Sequence, residues 1–214
     1  MNRLSNILIL SLLFFQGVAT AQTVDANSII EKTSQLYKQW GGMDVRFTAN
    51  VRSDQNGVSE SFEGTITMKG DKFVLKTPDM QTWFDGTTQW TYMPRNKEVN
   101  VTTPSGDELR FLNPMLLIQD YKTGFNVSYI GESTSGNARM AYDIALTPKK
   151  KDDIEKIEVQ IEKSTSLPSK LVVIMRNSMR STVTIKEIKS STPKDEMFIF
   201  QEKQYPDTEI IDLR

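Results

Sequence analysis

The residue types able to do covalent or acid–base chemistry are few in this chain. Its 214 residues include 26 Lys and Arg, 27 Asp and Glu, 6 Tyr, and neither His nor Cys. That excludes a Ser-His-Asp triad, a Cys–His nucleophile, the usual zinc sites and a His-ligated haem. Catalysis would fall to carboxylates, Lys or Tyr, and the carboxylates do not gather. Asp152-Asp153 adjoin Lys149-Lys150-Lys151, which reads as a solvated turn rather than a paired acid and base. Asp79, Asp85 and Asp107 sit in turn contexts, where Asp is favoured because it bonds its own backbone. No GxGxxG, P-loop, GxSxG or HExxH pattern occurs, and no spacing fits a metal. The chain is expected to be no enzyme and to carry no cofactor or metal.

The other candidate chemistry is apolar. Residues 62–101 hold Phe62, Met68, Phe73, Trp83, Phe84, Trp90 and Tyr92. Further on, Met115, Leu116, Leu117 and Ile118 stand in a row. One helical turn cannot bury four consecutive side chains on one side. Each residue alone is an ordinary core residue, so the argument is collective. Together they offer more apolar surface than helix-on-sheet packing needs. Met adapts to ligands of varied shape, and a curled sheet with a helical cover makes a cavity. Strand parity assigns to this pocket Val45, Phe47, Val51, Phe62, Ile66, Met68, Phe73, Leu75 and Trp90. The cover contributes Met115, Leu116 and Ile118. The basic residues Arg46, Arg52 and those of 69–76 fall on outward parities, without interleaved aromatic faces. With a net charge of −1, no nucleic-acid partner is expected.

The elements that must position these residues follow from periodicity. Ile29, Ile30, Thr33, Leu36, Tyr37 and Trp40 repeat as one helical stripe over 25–40, capped by Asp25 or by a Ser28–Glu31 box and stopped at Gly41-Gly42. Residues 43–53 alternate strictly, with Met43, Val45, Phe47, Ala49 and Val51 on one face of a half-buried strand. Asn56-Gly57 is a strong hairpin signal. Gly64, in the middle of the returning strand 58–69, predicts a bend or bulge. Residues 62–101 are broken at Gly70-Asp71, Pro78-Asp79, Asp85-Gly86 and 94–97, too closely for parallel crossovers, so they form an antiparallel meander. A helical turn at 107–110 and a short helix over 115–121, with Pro114 near its start, interrupt the strands. Alternation then marks a hairpin over 125–131 and 139–148 and strands near 157–161, 171–175, 180–188, 197–200 and 209–213. The sum is about ten or eleven strands with two or three helices: an α+β fold, a large antiparallel sheet curled over helices.

The N-terminus reads as a targeting segment. Asn2-Arg3 precede a mostly apolar run over 4–15, and Ala19-Thr20-Ala21 is a small-x-small cleavage pattern. The run is too short to span a bilayer comfortably. Residues 1–21 are expected to be a signal peptide cut after Ala21. Residues 22–214 then form one exported domain that has no disulfide to staple it.

Several stretches resemble the periplasmic lipoprotein carrier (LolA-like) family. They are Phe62-x-Gly64 leading to Met68-Lys69 and Phe73; Phe84-Asp85-Gly86-Thr87 leading to Trp90-x-Tyr92; residues 112–118, LNPMLLI; Ala145-Leu146-Thr147-Pro148; and Phe198-x-Phe200 followed by Ile210-Ile211-Asp212-Leu213. They keep the family's order and cover nearly all of residues 22–214. The resemblance implies an unclosed antiparallel β-barrel with helices covering its hydrophobic mouth, a periplasmic monomer that holds lipoprotein acyl chains in its cavity. It would take acylated lipoproteins from an inner-membrane lipoprotein-releasing transporter and give them to an outer-membrane acceptor. Many members carry Arg-Pro after the strand that holds Met68, and that Arg latches the lid. Here the positions read Gly70-Asp71, so the resemblance leaves the latch unassigned. Envelope-stress sensors share the fold, so a lipid- or lipoprotein-binding regulatory module is the alternative to a carrier.

Overall fold

The computed structural model describes residues 24–53, 57–106, 108–109, 113, 115–119 and 121–214. The expected signal segment, Asn56 of the hairpin turn, Asp107 and Arg110 of the helical turn, Leu112 and Pro114 lie outside the described residues.

Helix α1 (Ala26–Trp40) starts where the Asp25 side chain accepts the Asn27 N–H at 3.0 Å, and it ends at Gly41 with φ 68°. Asp25 therefore supplies the cap, and the left-handed turn needs the glycine. Its inner line is Ile30, Thr33, Ser34 and Tyr37, flanked by half-buried Ile29, Leu36 and Trp40. The Thr33 hydroxyl donates to the Ser166 carbonyl at 2.8 Å and pins the helix to the sheet's far half.

Twelve strands follow: β1 (Met43–Ser53), β2 (Val58–Lys69), β3 (Lys72–Lys76), β4 (Gln81–Phe84), β5 (Gln89–Met93), β6 (Glu98–Thr102), β7 (Phe125–Thr134), β8 (Met140–Pro148), β9 (Ile154–Glu162), β10 (Pro168–Met175), β11 (Met179–Ser190) and β12 (Glu209–Asp212). Between β6 and β7 come α2 (Met115–Gln119) and α3 (Tyr121–Gly124). All twelve strands share one sheet in the order β12-β6-β5-β4-β3-β2-β1-β11-β10-β9-β8-β7. The sheet is open, with β7 and β12 at its edges. β1 is its seam. The meander β2–β6 spreads to one side, and β11 returns to pair on the other, leading to β10, β9, β8 and β7.

The pairing is antiparallel except at one place. β12 lies parallel to β6, with Glu209 opposite Glu98 and Asp212 opposite Val101. The chain reaches that edge by a long return across the outside of the sheet. Residues 197–200, expected as a strand, instead follow a 3-10 turn over Asp195–Phe198. Asp195 accepts Lys69 at 2.8 Å and Lys72 at 3.1 Å, which ties the turn to the β2–β3 hairpin. These two cations hold its carboxylate below the usual range.

Two cores result, one on each face. The inner core joins Ile30 and Tyr37 of α1, Met115, Leu117, Ile118 and Tyr121 of the short helices, and inward residues of β1–β4 and β7–β11. The outer core is smaller. Val74, Trp83, Val99 and Val101 of the meander pack under Phe198 and Phe200, with Trp90, Tyr92 and Tyr205 around them. Tyr205 stands 4.8 Å from Tyr92 and 5.5 Å from Trp83, ring centre to ring centre. The heavy aromatic load of residues 62–101 is thus divided between two faces.

Gly64 marks no bulge. The β1–β2 register runs through it unbroken, with Phe47 directly opposite. The bulge sits across the seam, between Arg46 and Phe47 where β1 meets β11. Gly64 is bare because the Phe47 ring lies over it. A Cβ there would stand 2.5 Å from Phe47 Cζ and 3.0 Å from the Lys76 carbonyl. Gly64→Ala must push this ring aside, which is expected to cost about 1–3 kcal/mol, as overpacking does. Urea unfolding should show a lower midpoint at an unchanged slope.

Candidate functional site

The concave face of the seam carries an apolar cavity of about 120 Å³. Its floor is the inner parity of β1: Val45, Phe47, Ala49 and Val51. β2 adds Phe62 and Ile66, and β3 adds Leu75. The opposite wall is Leu171 of β10 with Ser181, Val183 and Ile185 of β11. Thr77 and Met80 close one end; Asn113 and Met115 form the cover. Among the described residues no ionisable side chain lines it. The alternation that makes β1 buried at Met43, Val45, Phe47 and Ala49 and exposed at Asp44 and Arg46 also keeps charge off the floor.

The structure brings seven of the sequence-assigned pocket residues onto this wall: Val45, Phe47, Val51, Phe62, Ile66, Leu75 and Met115. Met68, Phe73 and Ile118 are buried in the core beside the cavity and do not line it. Leu116 is half-buried and off the wall. Trp90 is corrected outright, since it lies on the opposite face of the sheet. It pairs with Trp83, and Trp83 pairs with Val74. Val74 faces away from its neighbours Phe73 and Leu75, so Trp90 joins the outer core. Parity failed there because β3 and β4, whose pairing sets which way β5 faces, are apolar on both sides.

Sequence reasoning missed Ala49, Thr77, Met80, Asn113, Leu171, Ser181, Val183 and Ile185. The last four sit on strands that only the β1–β11 pairing brings across the cavity. Met80 and Thr77 were hidden in a turn, where the Thr77 hydroxyl bridges to the Met80 backbone at 3.2 Å.

The cover is short. Ser105 and Glu108 form a capping pair, with the Glu108 carboxylate accepting the Ser105 N–H at 2.7 Å. Asn113 then donates its backbone N–H to the Leu109 carbonyl at 2.8 Å and leads into α2. Leu117, Ile118 and Tyr121 are fully buried. Two contacts with α1 hold the cover down. Deep inside, the Tyr37 hydroxyl meets Met115 Sδ at 3.9 Å, and burial pushes that hydroxyl's pKa well up. At the rim, Glu31 accepts the Tyr121 hydroxyl at 2.7 Å and pairs with Lys122 at 2.6 Å. Gly70 and Asp71 turn between β2 and β3 and take no part in this latch.

A larger groove of about 770 Å³ runs on the other face, between β2–β4 and residues 192–205. Lys76, Lys194, Glu196 and three glutamines share its lining, so it offers a hydrocarbon no dry surface. No group of three or more acidic residues among the described residues can hold a metal.

The Glu31 latch has a pH signature. Lys122 is the main cause that lowers the carboxylate from the ordinary 4.5 to about 2, helped by Tyr121 and Gln35. A folded pKa below the unfolded one stabilises the fold fully above about 4.5, and that contribution is lost as pH falls toward about 2. Glu31→Gln should therefore lower the urea midpoint at pH 7, and the gap to the wild type should close on acidification through this window. A gap that stays constant would show that Glu31 is no latch.

Comparison with known proteins bears on the family and on the fold. The family model described as outer membrane lipoprotein carrier protein LolA matches residues 17–188. No curated protein matches in sequence. Among solved structures, an uncharacterized conserved protein from Thermus thermophilus superposes with a TM-score of 0.53 at 13% identity, over 87% of this chain and 98% of its own. A LolA superfamily protein from Nitrosomonas europaea gives 0.45 at 12%, over 83% and 98%. A chain of the Pseudomonas aeruginosa MucA/MucB complex gives 0.41 at 14%, over 84% and 62%. At these identities the likeness is one of fold alone.

Proposed function

We propose, from the premise that this chain belongs to the outer membrane lipoprotein carrier family, that it is a non-enzymatic periplasmic carrier of lipoproteins. Residues 22–214 act after a signal peptide is removed behind Ala21. The carrier takes cargo from an inner-membrane lipoprotein-releasing transporter and yields it to an outer-membrane acceptor. The observation that carries this reading is an apolar cavity whose described wall holds no ionisable side chain, under a cover that includes α2 and α3.

Burial is worth about 0.8 kcal/mol per CH₂, so one long acyl chain needs a refuge of order 10 kcal/mol. The cavity of about 120 Å³ is below the roughly 300–1,000 Å³ of ordinary ligand pockets. A whole acyl chain therefore enters only as the cover lifts. Met115 leaves the wall, and the chain lies along Val45, Phe47, Val51, Phe62, Ile66 and Leu75. Handing on requires the acceptor to bind more tightly, so moderate affinity suits a carrier.

The test is extraction of lipoproteins from spheroplasts by the purified 22–214 protein, with mass spectrometry of whatever lipid it retains. The wild type should release acylated lipoproteins. Ala49→Leu, which fills the cavity floor, should release several-fold less while still unfolding cooperatively in urea. A wild-type protein that binds no acylated molecule would end the carrier reading. Capture of a membrane regulatory protein in place of lipoproteins would move the assignment to a sensor of the same fold.

A further inference from the structure

One polar side chain in the cavity wall is left half-used. Asn113 is completely buried and lines the cavity together with Met115. Its Oδ1 accepts the Met115 backbone N–H at 3.2 Å. Its own N–H donates to Leu109, and its carbonyl accepts from Leu116 at 3.0 Å. The remaining group, Nδ2, finds no acceptor among the described residues. Turning the amide over does not relieve this, because the NH₂ would then face the Met115 N–H, donor against donor. The orientation is fixed by the backbone, and the free donor belongs to a residue that lines the cavity.

A buried amide donor with no partner is costly to keep, whereas Leu at the same place would cost nothing in desolvation. The remaining wall is apolar apart from Thr77 and Ser181, and the Thr77 hydroxyl is engaged with Met80. Asn113 is therefore the polar group placed to meet a ligand that is otherwise hydrocarbon. A ligand group that satisfies it must accept a hydrogen bond, carry no charge and sit at the head of an apolar chain. The carbonyl of an esterified or amide-linked acyl group has those properties.

We propose that Asn113 is a specificity-determining residue whose Nδ2 donates to the acyl carbonyl of the bound ligand. The site then reads an acyl ester or acyl amide, not aliphatic chain alone. This rests on the carrier reading and adds to it a register: the carbonyl is held at the start of α2, and the chain runs from there along the floor of β1.

Displacement of pre-bound N-phenyl-1-naphthylamine by ligands of matched length tests this. Methyl palmitate and N-methylpalmitamide should displace the dye at about tenfold lower concentration than hexadecyl methyl ether, the margin of one buried hydrogen bond. The tighter of the two carbonyl ligands identifies the linkage. Asn113→Asp keeps the Oδ1 acceptor for Met115 and removes the donor; Asn113→Leu removes both. In each the margin should shrink to about twofold or less while the ether still binds. Equal displacement by all three ligands in the wild type overturns the assignment, and that arm requires no variant to fold. A margin that persists in either variant overturns it as well. If dye and ligands all fail to bind, the carrier reading falls and takes this one with it, an outcome distinct from loss of the margin alone.

Discussion

The two-residue period of β1, held in register from both sides, is the constraint on which the rest depends. β2 pairs along its whole length, and β11 pairs along the other edge with one bulge before Phe47. A slip of one residue against either neighbour would turn Asp44, Arg46 and Thr48 inward and expel Val45, Phe47 and Ala49. The cavity's floor, its lack of charge and the packing of Phe47 over Gly64 would vanish together. The bulge between Arg46 and Phe47 re-aims the seam at the point where the floor begins. The sheet therefore folds around the helices and does not lie flat beneath them.

The two faces are buried by different means. Inside, aliphatic, Met and Phe side chains of α1, α2, β1–β4 and β7–β11 meet in one core that stops short of filling the space. Outside, rings meet rings. Trp83, Tyr92, Phe200 and Tyr205 pack with centre distances of 4.8 to 5.5 Å, and the Tyr205 hydroxyl lies 3.3 Å from Gln81 Oε1. Two lysines on one carboxylate, Asp195, fasten the return segment. Aromatic contacts of this kind are directional, so the outer core makes the meander stiff. That stiffness lets the inner face keep an incompletely filled space without collapsing into it.

Much of this was legible in the sequence. The stripe of α1 and the alternation of β1 each record one buried face and one solvated face, and the closely spaced turns of the meander record antiparallel pairing. They gave the fold class and seven of the cavity residues. What could not be read follows from the same physics. Where both faces are buried, alternation disappears. Phe73-Val74-Leu75 and Trp83-Phe84 are apolar throughout, and nothing local says that Val74 and Trp83 face outward. Trp90 was misplaced for that reason. The outer cover comes from residues 198–205, more than a hundred positions away, and a parallel pairing of β12 with β6 is invisible to hairpin signals. Leu171, Val183 and Ile185 read correctly as strand residues, but only the closure of β11 on β1 makes them a cavity wall. Asn113 read only as the start of a short helix, and its side chain does accept the Met115 N–H there.

On the carrier reading, the cover lets the cavity be shielded and still usable. Helices of five and four residues have no stability of their own, since nucleation is costly and so few bonds follow it. α2 and α3 exist because Leu117, Ile118 and Tyr121 are buried and because Glu31 and Tyr37 of α1 grip the ends. Their folded state thus depends on apolar contacts that a hydrocarbon can replace in kind. Lifting the cover with water behind it exposes that surface; lifting it as a chain slides in exchanges one apolar neighbour for another. The cost of opening is then largely offset by the ligand that causes it. A wider cavity would admit water and lose this coupling, and a filled one would have no place for the first methylenes to enter. A space of about 120 Å³, comparable with engineered dry cavities of about 150 Å³ that take up benzene, is large enough to start the exchange and small enough to stay dry until it begins.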